Sequence, residues 1–202
     1  MSNTVIIDIE TIPLSKERIR AYKEEFEPET KKKSRKPKKS GLGGLHWLTG
    51  RLVCVGIKPL GEKAEVFAHE SEAVIFSDFA HYLEHHSAKQ VITFNGRNFD
   101  LPFLRMRGSL YGINMDLYLP YAKFDKAHID IYEELGGKWG LNAKLAEYAW
   151  FYGLKTISGS GAEVEKMFND GDLDSIVAHN LGDLDTTEEI YKRLFPRSAY
   201  KR

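Results

Sequence analysis

TVIIDIETIP, residues 4–13, opens with a short strand over 4–9 that carries acid out of an otherwise apolar run. Residues 4–9 are rich in β-branched side chains, which favour extended backbone. A strand apolar on both of its alternating faces belongs in the middle of a sheet. Side chains two apart on a strand share a face, so Asp8 and Glu10 point the same way. Two like charges that close repel unless a cation or a proton lies between them. A lone Asp-x-Glu at a solvent-exposed strand end needs no special reading. Here the apolar neighbours place the pair at the exit of a central strand instead.

Outward from this strand, RLVCVGIKP (51–59) and AEVFAHE (64–70) read as a second and third strand joined by a tight LGEK turn. Residues 71–86 have helical spacing, with Val74, Phe76, Phe79, Tyr82 and Leu83 as expected core positions. QVITFN (90–95) is a short apolar strand that stops at Gly96, and LPFLRMRGSLYG continues as a helix. HIDIYEEL (128–135) supplies a last edge strand or extended segment, and helices are expected at 141–152, 161–169 and 171–195. Early strands joined by turns favour antiparallel pairing, and later helical crossovers favour parallel pairing. An α/β domain with a mixed five-stranded sheet flanked by helices accounts for both halves, an arrangement similar to the ribonuclease-H-like fold.

The 202 residues suit one domain, 1–202, with a real core. Residues 14–50 read as an insertion: a charged helix after Pro13, then a Gly-, Pro- and Lys-rich loop around 30–44, expected to be mobile. The formal net charge of zero hides an asymmetry. KKKSRKPKK (31–39) holds seven of the 29 Lys and Arg and no acid, so the rest of the chain carries −7. An acidic body beside one basic segment suits a carboxylate-rich metal site with a separate handle for phosphate; a merely solvated loop is the simpler alternative for the lysines. Cys54, the single cysteine, lies in the apolar LVCVGI run and reads as a buried small side chain, which excludes an intrachain disulfide framework. No apolar stretch reaches the roughly 20 residues needed to span a bilayer, and the N-terminus lacks a signal-like pattern. A cytoplasmic protein with no membrane partner is the expectation. No G-x-x-x-x-G-K-[ST] loop occurs, and GLGGLHW lacks a strand-to-helix context, which argues against an ATPase or a dehydrogenase.

Two further segments carry acid. In TFNGRNFDLPFL (93–104) a strand ends, a glycine turn follows, and Asp100 starts the next helix. Asn98 or Asp100 could serve only as a helix cap, with Pro102 in the first turn. In open α/β sheets, however, such loops line the binding crevice. Asp8, Glu10 and Asp100 meet there if the first and fourth strands are parallel neighbours. In IVAHNLGDLDTTEEIYKRL (176–194), His179 and Asp183 lie four apart on one helical face, and Asp185 faces elsewhere.

Asp8-x-Glu10, Asn95-x-x-x-Phe99-Asp100 and His179 followed by Asp183 together resemble the three exonuclease motifs of the DEDD superfamily. DIETIP, FNGRNFDLPFL, HIDIY and GSGAEVEKMFNDGDLDSI are similar, in order and character, to segments of the predicted 3′–5′ exonucleases related to the proofreading domain of family B DNA polymerases. The likeness covers most of the chain outside 14–50. One departure stands out. The tyrosine subgroup has Tyr four residues before the last Asp, where this chain has His179; the histidine subgroup's spacing falls on Ala178.

The resemblance implies a 3′–5′ exonuclease that releases nucleoside 5′-monophosphates from single-stranded DNA ends. It implies two Mg²⁺ or Mn²⁺ ions, the hard cations that carboxylate oxygens suit. Asp8 would bridge the ions, Glu10 and Asp183 would complete one site, and Asp100 would hold the second through water. His179 is the candidate general base or water orienter, since an imidazole titrates near neutral pH and a tyrosine does not. Thr11, Ile12, Asn95 and Phe99 are candidate contacts to the terminal nucleotide, with an apolar side chain stacking on a base. RNA is the alternative substrate. An endonuclease or a non-catalytic nucleic-acid-binding module of the same fold are the other readings.

Overall fold

The computed structural model describes residues 3–26, 43–86, 88–120, 125–140, 143–155 and 161–196. The lysine run 31–39 and most of the loop expected around 30–44 lie outside them.

The sheet has five strands: β1 (Thr4–Pro13), β2 (Gly50–Pro59), β3 (Glu65–Ala68), β4 (Gln90–Thr93) and β5 (His128–Asp130), in the order β3-β2-β1-β4-β5. β1 pairs antiparallel with β2 and parallel with β4; β2–β3 is antiparallel and β4–β5 parallel. This is the mixed, ribonuclease-H-like sheet expected from the strand order, with the acid-bearing strand at its centre. β1 continues to Pro13, past the expected 4–9, because β2 pairs with it to the end, absorbing one irregularity between Glu10 and Thr11. β3 is shorter than expected, since only Glu65–Ala68 find partners on β2.

The two faces of β1 go to different layers. Val5, Ile7 and Ile9 enter a core with α2 (Glu72–His85) and α3 (Asp100–Gly108). Ile6 and Ile12 enter two smaller clusters on the opposite face, beneath α6 (Gly161–Asn169) and α7 (Leu173–Leu194). By alternation Asp8 and Glu10 belong to this second face. On α2 the buried stripe is Ile75, Phe76, Phe79, Ala80 and Leu83; Val74, expected in the core, is instead exposed and Tyr82 only half-buried. Val74 sits one step round the helix from Ile75 and turns to solvent.

α1 (Lys16–Phe26) fills the first part of the insertion as a charged helix with no buried residue. β5 stops at Asp130, well short of the expected 128–135. Asp130 accepts the Tyr132 N–H at 3.1 Å as an N-cap, so the chain enters the short helix α4 (Ile131–Glu134) instead of continuing as a strand. Late in the chain, α5 (Leu145–Phe151) begins four residues after the expected start, while α6 and α7 match their expected spans closely. Among the described residues no helix is long and apolar enough to cross a membrane.

Candidate active site

Three chain segments converge at the carboxyl end of β1. The register Ile6↔Ile92 runs β4 out at Thr93, two residues before β1 would level with Asn95. Beyond that point β1 has no β4 backbone facing it. The orphaned Ile9 N–H is taken by the Asp100 carboxylate, Oδ1 accepting at 3.2 Å. A strand edge left open by a short neighbour thus fixes Asp100 beside the strand that carries Asp8 and Glu10.

The turn between β4 and α3 is held from β5. Asn95 has φ 62°, the left-handed region that asparagine tolerates better than most residues. Asp130 holds it there: Oδ1 accepts the Asn95 N–H at 2.8 Å and Oδ2 the Arg97 N–H at 2.9 Å. The Asn95 side-chain oxygen accepts from Asn98 Nδ2 at 3.0 Å, so Asn98 closes the turn and does not cap α3. Asp100 sits in the first turn of α3, where a carboxylate is also favoured by the helix dipole.

α7 crosses the same face and presents His179 and Asp183 on one side, as their spacing predicts. His179 Nε2 lies 3.6 Å from Glu10 Oε1 and 3.8 Å from Asp183 Oδ2. These three ligand atoms all fall within 4.8 Å of one another, close enough to share one cation. His179 Nδ1 is buried and has no hydrogen-bond partner among the described residues. Asp185 points away and pairs with Lys58, which also reaches Glu188 Oε2 at 2.6 Å. Ala178, where the other subgroup's histidine would fall, is exposed.

Two residues that the sequence reading did not single out complete the arrangement. Asn180, fully buried on α7, donates from Nδ2 to Asp8 Oδ2 at 2.7 Å. It can do so because Gly56 lies directly across from Asp8 in β2; a Cβ at Gly56 would overlap Asn180 Oδ1. The Gly56 position reads as an ordinary strand glycine in isolation, and only the helix packed over it reveals its use. Asn180 was legible in principle as a buried amide next to His179 on an amphipathic helix.

The electrostatics of the cluster are one-sided. Burial, then the charges of Glu10, Asp100 and Asp183, push the Asp8 carboxyl well above the usual carboxylate range, with the Asn180 hydrogen bond opposing them. Glu10 is driven the same way by burial and by Asp183 and Asp100. Asp100 rises to about 7, chiefly through burial and the neighbouring Asp130, despite the backbone N–H it accepts from Ile9. Asp183 is raised by burial, with His179 pulling it back. An acid set held this close needs protons or cations between its members. All-oxygen donors with one imidazole at the edge fit a hard divalent ion and suit neither a thiolate zinc site nor a haem.

Of the candidate nucleotide contacts, Asn95 and Phe99 are half-buried at the turn, with Phe99 packed on Phe103, ring centroids 5.7 Å apart. Thr11 is buried. Ile12 does not fit the stacking role expected of it: its side chain is packed with Val53, Cys54, Val164 and Ile176, leaving only its backbone for a ligand.

Residues 55–196 match a family described as predicted 3′–5′ exonuclease related to the exonuclease domain of PolB. The chain belongs to that family. The match begins after β1, so Asp8 and Glu10 lie upstream of the matched residues. DNA polymerase 1 of Aeropyrum pernix is 27% identical over 142 residues, covering 65% of this chain and 15% of that polymerase. The structure of the family B DNA polymerase from the hyperthermophilic archaeon Pyrobaculum calidifontis superposes with a TM-score of 0.67 at 17% identity, over 96% of this chain and 24% of the other. That likeness establishes the fold, including the β1 region. The chain therefore spans less than a quarter of the length of either polymerase.

Proposed function

We propose that this chain is a divalent-metal-dependent 3′–5′ exonuclease that trims single-stranded DNA ends to nucleoside 5′-monophosphates. The observation that carries the reading is the convergence of Asp8, Glu10, Asp100 and Asp183 from one strand end, a helix start and a crossing helix, with His179 beside them and no lysine or arginine paired to the set among the described residues. Asp8, Glu10 and Asp183 would hold one ion, and Asp100 together with Asp8 would hold a second. Bound Mg²⁺ or Mn²⁺ would supply charge stabilisation to the attacking and departing oxygens of an in-line displacement.

The chain's own groups do the rest. Asn180 fixes one oxygen of Asp8, Oδ2, by its hydrogen bond. His179, with Nε2 facing Glu10 and Asp183, is positioned to orient the attacking water or take its proton. The half-buried Phe99 and the left-handed turn at Asn95 border the place where a terminal nucleotide would sit, and the backbone of Thr11 and Ile12 borders it from β1. The lysine-rich segment 31–39 serves as a tether for the phosphate backbone, and its contribution would fall steeply with salt.

End-labelled single-stranded DNA incubated with Mg²⁺, Mn²⁺ or EDTA tests the reading. Stepwise mononucleotide release from the 3′ end with either metal, and none with EDTA, is expected. Equal turnover of a matched RNA would widen the substrate to RNA, cleavage of circular single strands would make it an endonuclease, and strand binding without cleavage would leave a binding module.

A further inference from the structure

On the other side of the molecule from the carboxylates, α2 carries a second set of metal-ligating side chains. Its inner stripe is buried against the sheet, and the sequence H-Y-L-E-H over 81–85 places His81, Glu84 and His85 on its exposed side. One ligand atom from each lies within 4.8 Å of the others. Helical geometry accounts for this, since i, i+3 and i+4 share a face.

Proximity alone would be ordinary for a polar helix face; the hydrogen bonds around the three residues make it more than that. His85 Nδ1 lies 2.8 Å from the His81 carbonyl oxygen. A carbonyl can only accept, so Nδ1 carries the proton and Nε2 presents its lone pair outwards. This is the backbone-anchored imidazole that orients ligating histidines in metal proteins. Glu84 is anchored as well, Oε1 accepting from the Tyr118 hydroxyl at 3.1 Å. The His81 and His85 rings lie 4.5 Å apart. The third nearby histidine is turned away: His86 stacks on Tyr82 at 4.1 Å and donates to the Tyr82 carbonyl, leaving the pair to act with Glu84.

The geometry points to a Zn²⁺ site formed by His81, Glu84 and His85, separate from the carboxylate centre and with its fourth position open to solvent. Two imidazole nitrogens and one carboxylate oxygen are the donor set of a borderline-soft, four-coordinate ion. The all-oxygen set at Asp8 is suited to Mg²⁺ or Mn²⁺. The chain would thus sort two classes of cation to two faces. A zinc ion there would also join two turns of α2 and, through Tyr118, brace the 115–118 segment against the helix.

Zinc titration by calorimetry of the full chain carrying Asp8→Asn and Asp183→Asn tests this with the carboxylate centre disabled. One Zn²⁺ per chain is expected, with visible Co²⁺ absorption of the intensity that tetrahedral coordination gives. Adding His81→Ala and His85→Ala should weaken Zn²⁺ binding by ~10-fold or more. Because both residues are exposed, the melting temperature in EDTA should not change. In the otherwise native chain the same two alanines should leave Mg²⁺-dependent cleavage intact and remove the melting-temperature rise that Zn²⁺ causes. Unchanged Zn²⁺ affinity after both histidines are removed, or no zinc bound once the carboxylates are disabled, overturns the proposal.

Discussion

Two of the places where the protein buries acid are built on opposite logic. At Glu72, every site on the carboxylate is used by the protein itself: the Leu52 N–H at 2.7 Å, Arg107 through Nε at 3.0 Å and Nη2, and the Tyr111 hydroxyl at 2.8 Å. Arg107 also reaches the Trp47 carbonyl at 3.3 Å, tying the 43–50 loop to α3. At Asp8, the neighbours are three more carboxylates, and one asparagine amide is the main relief. A closed ion pair is a brace. An open acid set is unfinished until something positive arrives from outside, and that difference separates a structural charge from a candidate catalytic one in this fold.

The sharpest way to break the comparison is to neutralise one acid in each place. Glu72→Gln leaves Arg107 buried without its charge partner and should lower stability by about 3–5 kcal/mol, read from the urea midpoint. Asp8→Asn relieves repulsion, so the metal-free protein should be as stable as the parent or more so, while cleavage is abolished. Equal destabilisation by the two substitutions would erase the distinction.

His179→Ala should reduce turnover roughly 10²-fold with little loss of Mn²⁺ binding. Near-normal turnover would remove His179 from the reaction; lost Mn²⁺ affinity would make it a ligand. Gly56→Ala should displace Asn180 and weaken Mn²⁺ binding by about 10-fold, the usual scale for losing a group that orients a ligand. Asn180→Ala should do the same, and the double variant should be no worse than either, because both act through one hydrogen bond. Additive losses would disprove that route.

The smallest effect is a pH slope. A carboxyl raised on folding binds its proton more tightly in the folded chain, so stability falls as pH rises from the unfolded value, about 4, to the folded one. With Asp100 at about 7, the metal-free protein should melt at a lower temperature at pH 8 than at pH 5. Asp100→Asn should flatten the trend, and saturating Mn²⁺ should reverse it, because cations take the place of the protons. A flat profile in EDTA would mean the acids do not confront one another.

Much of this was legible in the chain. Strand order, the mixed pairing and the meeting of Asp8, Glu10 and Asp100 follow from alternation, turn residues and the parallel neighbours β1 and β4. The pairing of His179 with Asp183 follows from helical spacing. What could not be read depends on contacts distant in sequence. The early end of β5 is set by Asp130 capping Tyr132 while clamping the Asn95 turn, a double use that no local pattern announces. Ile12 looked available because it is an apolar residue just after the carboxylate pair, yet α6 and α7 cover it. Gly56 and Asn180, 124 positions apart in the numbering, acquire meaning only when α7 lies across the sheet.

Manganese titration of the wild-type chain and of Asp8→Asn, followed by calorimetry, tests the central claim most directly. Binding of two ions by the wild type, with Asp8→Asn taking none at the carboxylate end, is the predicted result. Identical isotherms for the two chains would contradict it.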